Sequence, residues 1–294
     1  MNRYKYRKVD AFTSGASLGN PAACLYLDAH QTLTDAQMLE VAKQHKRFVS
    51  EVVFCKKGAD SLFELRYFSS ECEVPFCGHG TIACMYSMIE NTPELRAQSE
   101  ITVRTHKKGT LTVYNKIKEQ NAVYISAPEP IYLPPPVSAD VIAEKLQINE
   151  SIISRIYPID FIDAGNRTLI VPISRFDDEI SIFPDEQALK DFTLANGIDV
   201  TLIFCMATEN RAYTAHTRIF AAKYGYLEDP ATGSGNSAFG YYMMKNKLWD
   251  AGAVTLEQGG NDRIFNTVHL CLESGKLLFG GSATTRIEGE YFIC

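Results

Sequence analysis

The chain has 294 residues, of which 46% are hydrophobic and 22% charged, and its formal net charge is −6. That length exceeds one ordinary core and fits two of roughly 150 residues each, while the acidic balance and the lack of a basic stripe speak against a nucleic-acid partner. No run approaches the roughly 18 consecutive apolar residues that a membrane helix needs, and strand-like alternation, not an apolar signal region, follows the basic start Met1–Lys8, so no membrane partner and a cytoplasmic location are expected.

The first half opens with strand-like segments, with Gly19-Asn20-Pro21-Ala22 among them. Thr34-Asp35-Ala36-Gln37 then has a cap residue followed three positions later by a glutamine, and this predicts an amphipathic helix to about His45. Strands are predicted at Glu51–Cys55 and Leu62–Phe68. The turn Pro75-Phe76-Cys77-Gly78-His79-Gly80 feeds an apolar helix, Thr81–Ile89, and short β-rich runs follow. The Pro-rich stretch from Ala127 to Pro136 reads as a linker or as a surface loop of the second half. Beyond it, Ser138–Leu146 carries an apolar stripe of Val141, Ile142 and Leu146, and it reads as the counterpart of the first helix. Strands are predicted at Thr201–Ala207 and Ala212–Phe220, then a second turn, Pro230-Ala231-Thr232-Gly233-Ser234-Gly235, and a helix, Ser237–Lys247. Gly280-Gly281 lies in the closing β-rich run.

Eight cysteines, at positions 24, 55, 72, 77, 84, 205, 271 and 294, sit mostly in apolar runs such as Val53-Phe54-Cys55. There is no CxxC pair, and Cys72 to Cys77 has the wrong spacing for a zinc knuckle, so they read as reduced and mostly buried, with no metal site.

The two halves echo each other. Arg66-Tyr67-Phe68 resembles Arg218-Ile219-Phe220, and Glu73-Val74-Pro75 aligns with Glu228-Asp229-Pro230. From there Gly78 pairs with Gly233, Gly80 with Gly235, Ala83 with Ala238 and Tyr86 with Tyr241, all at one constant offset. Fainter echoes keep the same order: Val9-Asp10-Ala11 with Ile162-Asp163-Ala164, and Gly19-Asn20 with Gly165-Asn166. Two copies cannot make a solenoid, so an internal duplication yielding two similar lobes is the simplest reading. The expected boundaries are 1–127, with the C-terminal strand 283–294 as a candidate addition, and 128–282.

A Gly-x-Gly before an apolar helix lets the backbone turn tightly and approach a ligand, and it aims the first helical N–H groups outward as an anion site. The bland alternative is a plain strand-to-helix connection. The side chains differ between copies: Cys77 and His79 stand where the second turn has Thr232 and Ser234, and Asp229 stands where Val74 does. This asymmetry disfavours a two-thiol racemase. Cys77 is open to two readings, an activated thiolate near a helix N-terminus or a small buried hydrophobe. Glu51 sits in the apolar run Phe48–Cys55; it reads either as a desolvated acid/base with a raised pKa or as a rim residue paired with Lys43, Lys46 or Arg47.

Ser50-Glu51 with Phe54, the string from Pro75 to Ala83, and Glu228-Asp229-Pro230-Ala231-Thr232-Gly233-Ser234 resemble the PhzF-type phenazine-biosynthesis proteins, within the diaminopimelate-epimerase fold. The resemblance spans essentially the whole chain, including Gly19-Asn20-Pro21-Ala22 and Gln258-Gly259. It implies an α+β protein of two lobes, each a mixed β-sheet wrapped around a central helix, with the active site in the cleft between them. It also implies an isomerase without metal or cofactor, often a homodimer. By the same resemblance Glu51 is the general base/acid, and His79 and Asp229 position or relay protons. Cys77, Gly78, Gly80, Thr232, Gly233, Ser234, Gly235 and Asn20 are expected around the substrate, a small carboxylate metabolite. Gly80 and Gly235 replace the family's usual alanines, which suggests a larger pocket, and Asn236 a polar contact in it.

The leading expectation is a cofactor-independent isomerase that shifts a proton, and with it a double bond. The alternatives are a racemase or epimerase using Cys77, and a ligand-binding relative without chemistry.

Overall fold

The computed structural model describes residues 2–58, 62–260 and 262–293, so Met1 and Cys294 lie outside the described residues. Two compact units form, Met1–Ser126 with Gly280–Cys294, and Ala127–Phe279. Among the described residues no helix is long and apolar enough to cross a membrane. The seven described cysteines are thiols outside any disulfide, with only Cys72 exposed.

The first unit begins with strand β1 (Asn2–Ala11), antiparallel to β2 (Asn20–Leu27). The loop between them closes on Gly19 at φ +72°, where a Cβ would stand 2.6 Å from the Ala11 carbonyl oxygen, so only glycine fits. Helix α1 (Asp35–Gln44) starts on the capping box foreseen from Thr34 and Gln37, and it crosses to β3 (Glu51–Lys57), parallel to β2. Strand β4 (Phe63–Phe68) pairs antiparallel with β3, and the two-residue β5 (Glu73–Val74) pairs with β4 and leads into α2 (Gly78–Glu90). After the short α3 (Pro93–Arg96), β6 (Glu100–Thr105) runs parallel to β4 and continues antiparallel into β7 (Gly109–Lys116). A short α4 (Ile117–Gln120) then leads to β8 (Ala122–Ser126), which pairs with β7.

Helix α2 is the axis of this unit. Gly80 through Ser87 and Ile89 are buried, and β1, β2, β3, β7 and β8 pack around it. A helix apolar on all sides is stable only when surrounded. Strand β3 divides its side chains by the period of two. Val52 and Phe54 join Met38, Val41 and Ala42 of α1 in one core cluster. On the other face Val53 meets Gly80, and Cys55 places its sulfur 3.3 Å from that of Met88, both on α2.

The second unit opens with β9 (Ile131–Leu133), inside the Pro-rich stretch, which pairs with β10 (Asp160–Asp163). Helix α5 (Ala139–Leu146) lies between them in sequence. Strand β10 pairs antiparallel with β11 (Arg167–Pro172), and α6 (Phe176–Ile180) and α7 (Glu186–Ala195) lead to β12 (Val200–Cys205), parallel to β11. Then come β13 (Ala215–Phe220), antiparallel to β12, the two-residue β14 (Glu228–Asp229), and α8 (Gly233–Lys245). Strand β15 (Val254–Gln258) runs parallel to β13 and pairs with β16 (Asn266–Glu273). Strand β17 (Lys276–Gly281) carries the chain back towards the first unit, where β18 (Ala283–Ile293) pairs along the whole of β1.

Both units therefore follow one scheme: an antiparallel pair, a helical crossover to a parallel strand, an antiparallel return, a two-residue strand, a long buried helix, and a parallel strand beside the return. The counterpart of α1 in this scheme is α7, not the helix at Ser138–Leu146, because α7 links the parallel strands β11 and β12 while α5 precedes β10. Ile142 and Leu146 of α5 still share a core with Leu189 and Phe192 of α7, so its apolar stripe is used.

Gly233 shows how tightly α8 is enclosed: a Cβ there would lie 2.2 Å from the ring of Phe279, itself 1% exposed. Gly233→Ala should cost about 1–3 kcal/mol through overpacking, whereas Gly289→Ala, with nothing within 4 Å, should be neutral. Urea unfolding of both variants checks this, and equal midpoints would contradict the enclosure.

Candidate active site

Each turn that precedes a buried helix is fixed by an arginine–glutamate pair, which the repeated letters Arg66…Glu73 and Arg218…Glu228 encode. In the first unit Arg66 donates from Nε to Glu73 at 2.9 Å and from Nη1 to Asp35 at 2.8 Å, and His106 Nδ1 lies 2.8 Å from Glu73. In the second, Arg218 grips both oxygens of Glu228 at 3.0 and 2.8 Å. Its Nη1 donates to the carbonyls of Glu179, Ile180 and Ile182. These charge-assisted bonds set where β5 and β14 end, and so where α2 and α8 begin.

In the first unit the turn meets the start of β3. Cys77 is the N-cap of α2, and its sulfur accepts the amide of Gly80 at 3.3 Å. His79, in the first turn of that helix, has Nδ1 3.5 Å from this sulfur. Its Nε2 lies 3.3 Å from Ser50 Oγ and 3.3 Å from Glu51 Oε2. The Glu51 contact is close without the alignment of a hydrogen bond. That oxygen is shielded from solvent and receives no hydrogen bond, although the side chain as a whole is 20% exposed. Lys46, one of the cations considered for Glu51, pairs with Glu71 instead. Cys77 is buried, and its sulfur caps α2 beside the histidine ring.

The second turn is built on different groups. Thr232 is the N-cap residue of α8, and its hydroxyl donates to Asp229 Oδ2. Gln258 clamps the turn, accepting from the Thr232 amide at 2.8 Å and donating to the Asp229 carbonyl at 2.8 Å. Ser234 Oγ accepts from Asn166 at 2.8 Å. The register identifies equivalents of the first unit. Ala22 faces Glu51 across β2 and β3, and Thr168 faces Val200 across β11 and β12. Asn20 and Asn166 thus occupy matching places, and the residue matching Glu51 is Val200, an apolar side chain 2% exposed. A carboxylate–imidazole pair at the strand start is a feature of the first turn and has no counterpart in the second.

Two expectations change. Gly80, Gly233 and Gly235 are buried, and their missing Cβ atoms make room for the protein's own groups: Val53 Cγ2 at 2.9 Å for Gly80, Phe279 for Gly233, and Ile219 Cδ1 at 2.6 Å for Gly235. The space that a Cβ would take at these positions faces the protein's own side chains within each unit, so the alanine-to-glycine departures act on internal packing. Asn236 is fully buried and bonded to Thr217, Thr232 and Gln258, so it braces α8 and makes no outward contact. Gly78, His79, Ser234, Glu51 and Asp229 remain half-buried at the edges of the turns, while Asn20 and Thr232 are buried beneath them. Sequence reasoning passed over Ser50, Asn166 and Gln258 as site residues. Each lay inside a quoted motif, and a search for polar side chains beside the repeated turns would have found them.

A profile of the PhzC-PhzF family, phenazine biosynthesis-like proteins, matches residues 9–289. The chain belongs to the PhzC-PhzF family. An uncharacterized isomerase of Halalkalibacterium halodurans is 31% identical over 293 residues, covering 97% of each chain. The trans-2,3-dihydro-3-hydroxyanthranilate isomerase of Pseudomonas fluorescens is 28% identical over 247 residues, covering 83% of this chain and 81% of that protein. A crystal structure of a Bacillus anthracis phenazine biosynthesis protein of the PhzF family matches with a TM-score of 0.85 at 26% identity, with 100% of both chains covered. This PhzC-PhzF member is an α+β enzyme of the isomerase class.

The clamp on the first turn has a pH signature. Burial pushes the Glu73 carboxyl up, but hydrogen bonds from Arg66 and His106 outweigh it and hold the pKa at about 2, against an ordinary value of 4.5. Because the folded value is depressed, the stabilisation is complete above about pH 4.5 and is lost as pH falls through about 2. Glu73→Gln should lower the urea midpoint at neutral pH, and its gap to the wild type should close between those limits. A gap that stays constant down to pH 2 would contradict the clamp.

Proposed function

We propose that this enzyme moves a proton, and with it a double bond, on a small carboxylated metabolite, using its own side chains and no cofactor. The observation that carries the reading is the solvent-shielded Glu51 oxygen, which no donor satisfies and which lies 3.3 Å from His79 Nε2. A carboxylate left without donors keeps its lone pair for a proton, and a neighbouring imidazole can pass that proton on.

In the proposed cycle Glu51 accepts a proton from an sp³ carbon next to an unsaturated system. The C–H electron pair becomes the new π bond and the old double bond moves one position along. A proton returns from Glu51 or His79 to the far carbon, so atoms and charge balance. Ser50 Oγ contacts the same Nε2 that faces Glu51 and so helps to orient the ring, and the amides at the start of α2 suit the substrate carboxylate. Asp229, Thr232 and Ser234 of the second turn are proposed as substrate-binding groups. The Pseudomonas fluorescens relative is named for trans-2,3-dihydro-3-hydroxyanthranilate, and this compound is the first substrate to try.

The contact of Cys77 with His79 favours one competing reading, an epimerase with Cys77 as a base. Against it, the position matching Cys77 in the second turn is Thr232, so a pair of thiols is missing. Turnover assays on a panel of cyclic and amino carboxylates separate the two. Glu51→Gln should lose about 10²–10⁴-fold in kcat, while Cys77→Ser should keep most of the activity. An active Glu51→Gln beside an inactive Cys77→Ser would overturn the proposal.

A further inference from the structure

The donor atoms of Glu51, Cys77 and His79 all lie within 4.8 Å of one another. No zinc-type spacing announces this trio in the sequence, because Glu51 comes from the start of β3 and the other two from the start of α2. Tetrahedral zinc binds sulfur at about 2.3 Å and nitrogen or oxygen at about 2.0–2.2 Å, which puts neighbouring donors roughly 3.3–3.6 Å apart. Here His79 Nε2 is 3.3 Å from Glu51 Oε2 and 3.8 Å from Cys77 Sγ, so these two pairs are close to that spacing.

The chemistry of the set agrees. A thiolate and a carboxylate together cancel the charge of a divalent cation, and a neutral imidazole completes a mixed S, N, O set of the kind that zinc prefers. The Gly80 amide already donates to the sulfur, an outer contact of the sort that orients a metal-bound thiolate. The Glu51 oxygen that faces the trio receives no hydrogen bond that a metal would have to displace. Three protein ligands leave a fourth position for water or an anion.

We propose that Glu51, Cys77 and His79 form a binding site for zinc or a similar soft divalent cation, and that its occupancy shuts off proton transfer. The binding stands on geometry and donor chemistry alone, whereas the inhibition rests on the isomerase reading above. Bound metal ties up the Glu51 lone pair and His79 Nε2, the two groups that reading needs. Binding also displaces the thiol proton, so affinity rises with pH.

The test is equilibrium dialysis of the full chain, stripped with chelator, against zinc, followed by cobalt substitution. The expected result is one zinc per chain and, with cobalt, a thiolate-to-metal charge-transfer band in the near ultraviolet. Cys77→Ser should abolish the band and weaken zinc by at least about 10–100-fold, the loss that even outer contacts cause. Glu51→Gln should weaken zinc similarly while leaving the helix cap intact, which separates a lost ligand from a misfolded turn. Cys72→Ser, which changes the exposed thiol, should leave both readouts unchanged. Absence of stoichiometric zinc, or a cobalt band that survives Cys77→Ser, overturns the site. Zinc bound at this trio with turnover undiminished overturns the inhibition alone. A protein that binds zinc as expected but turns over no substrate counts against the isomerase reading and leaves the site standing.

Discussion

The close approach of the start of α2 to strand β3 is the constraint on which the first unit depends. Val53 lies against Gly80 so tightly that a methyl group there would stand 2.9 Å from it. The period of two along β3 then carries Glu51 to the end of the same face, beside His79. The site is thus an extension of core packing. The glycine lets the helix settle onto the strand, the Arg66–Glu73 pair fixes where the turn stops, and Cys77 caps the first helical turn.

The second unit follows the same strand scheme and puts different chemistry on it. Arg218 and Glu228 repeat the clamp, and α8 repeats the buried helix. Val200 takes the place of Glu51, however, and Thr232 and Ser234 replace the thiol and the imidazole. Hydroxyls that accept from Gln258 and Asn166 are hydrogen-bonding groups and poor bases.

Much of this was legible in the sequence, and the limits follow from distance along the chain. The Thr34 capping box and the helices after both turns are local patterns, and the structure places them within a few residues of their expected bounds. The pairing of Glu51 with His79 joins residues far apart in sequence, and the apolar run around Glu51 fits a desolvated acid/base as well as a rim residue. The glycines suggest room for a ligand in the sequence because it does not show which side of a helix a missing Cβ faces. The same limit applies to Asn236, a polar side chain in an apolar helix whose three buried partners only the fold brings together. The false match of α5 to α1 arose because amphipathic stripes identify helices but not the strands they connect.

The central claim is that Glu51 exchanges a proton with a carbon of the substrate. Incubation of the enzyme with trans-2,3-dihydro-3-hydroxyanthranilate in heavy water, followed by mass spectrometry of recovered substrate and product, addresses it most directly. The account predicts deuterium at carbon with the wild-type enzyme and none with Glu51→Gln. Uptake that continues undiminished in Glu51→Gln would contradict it.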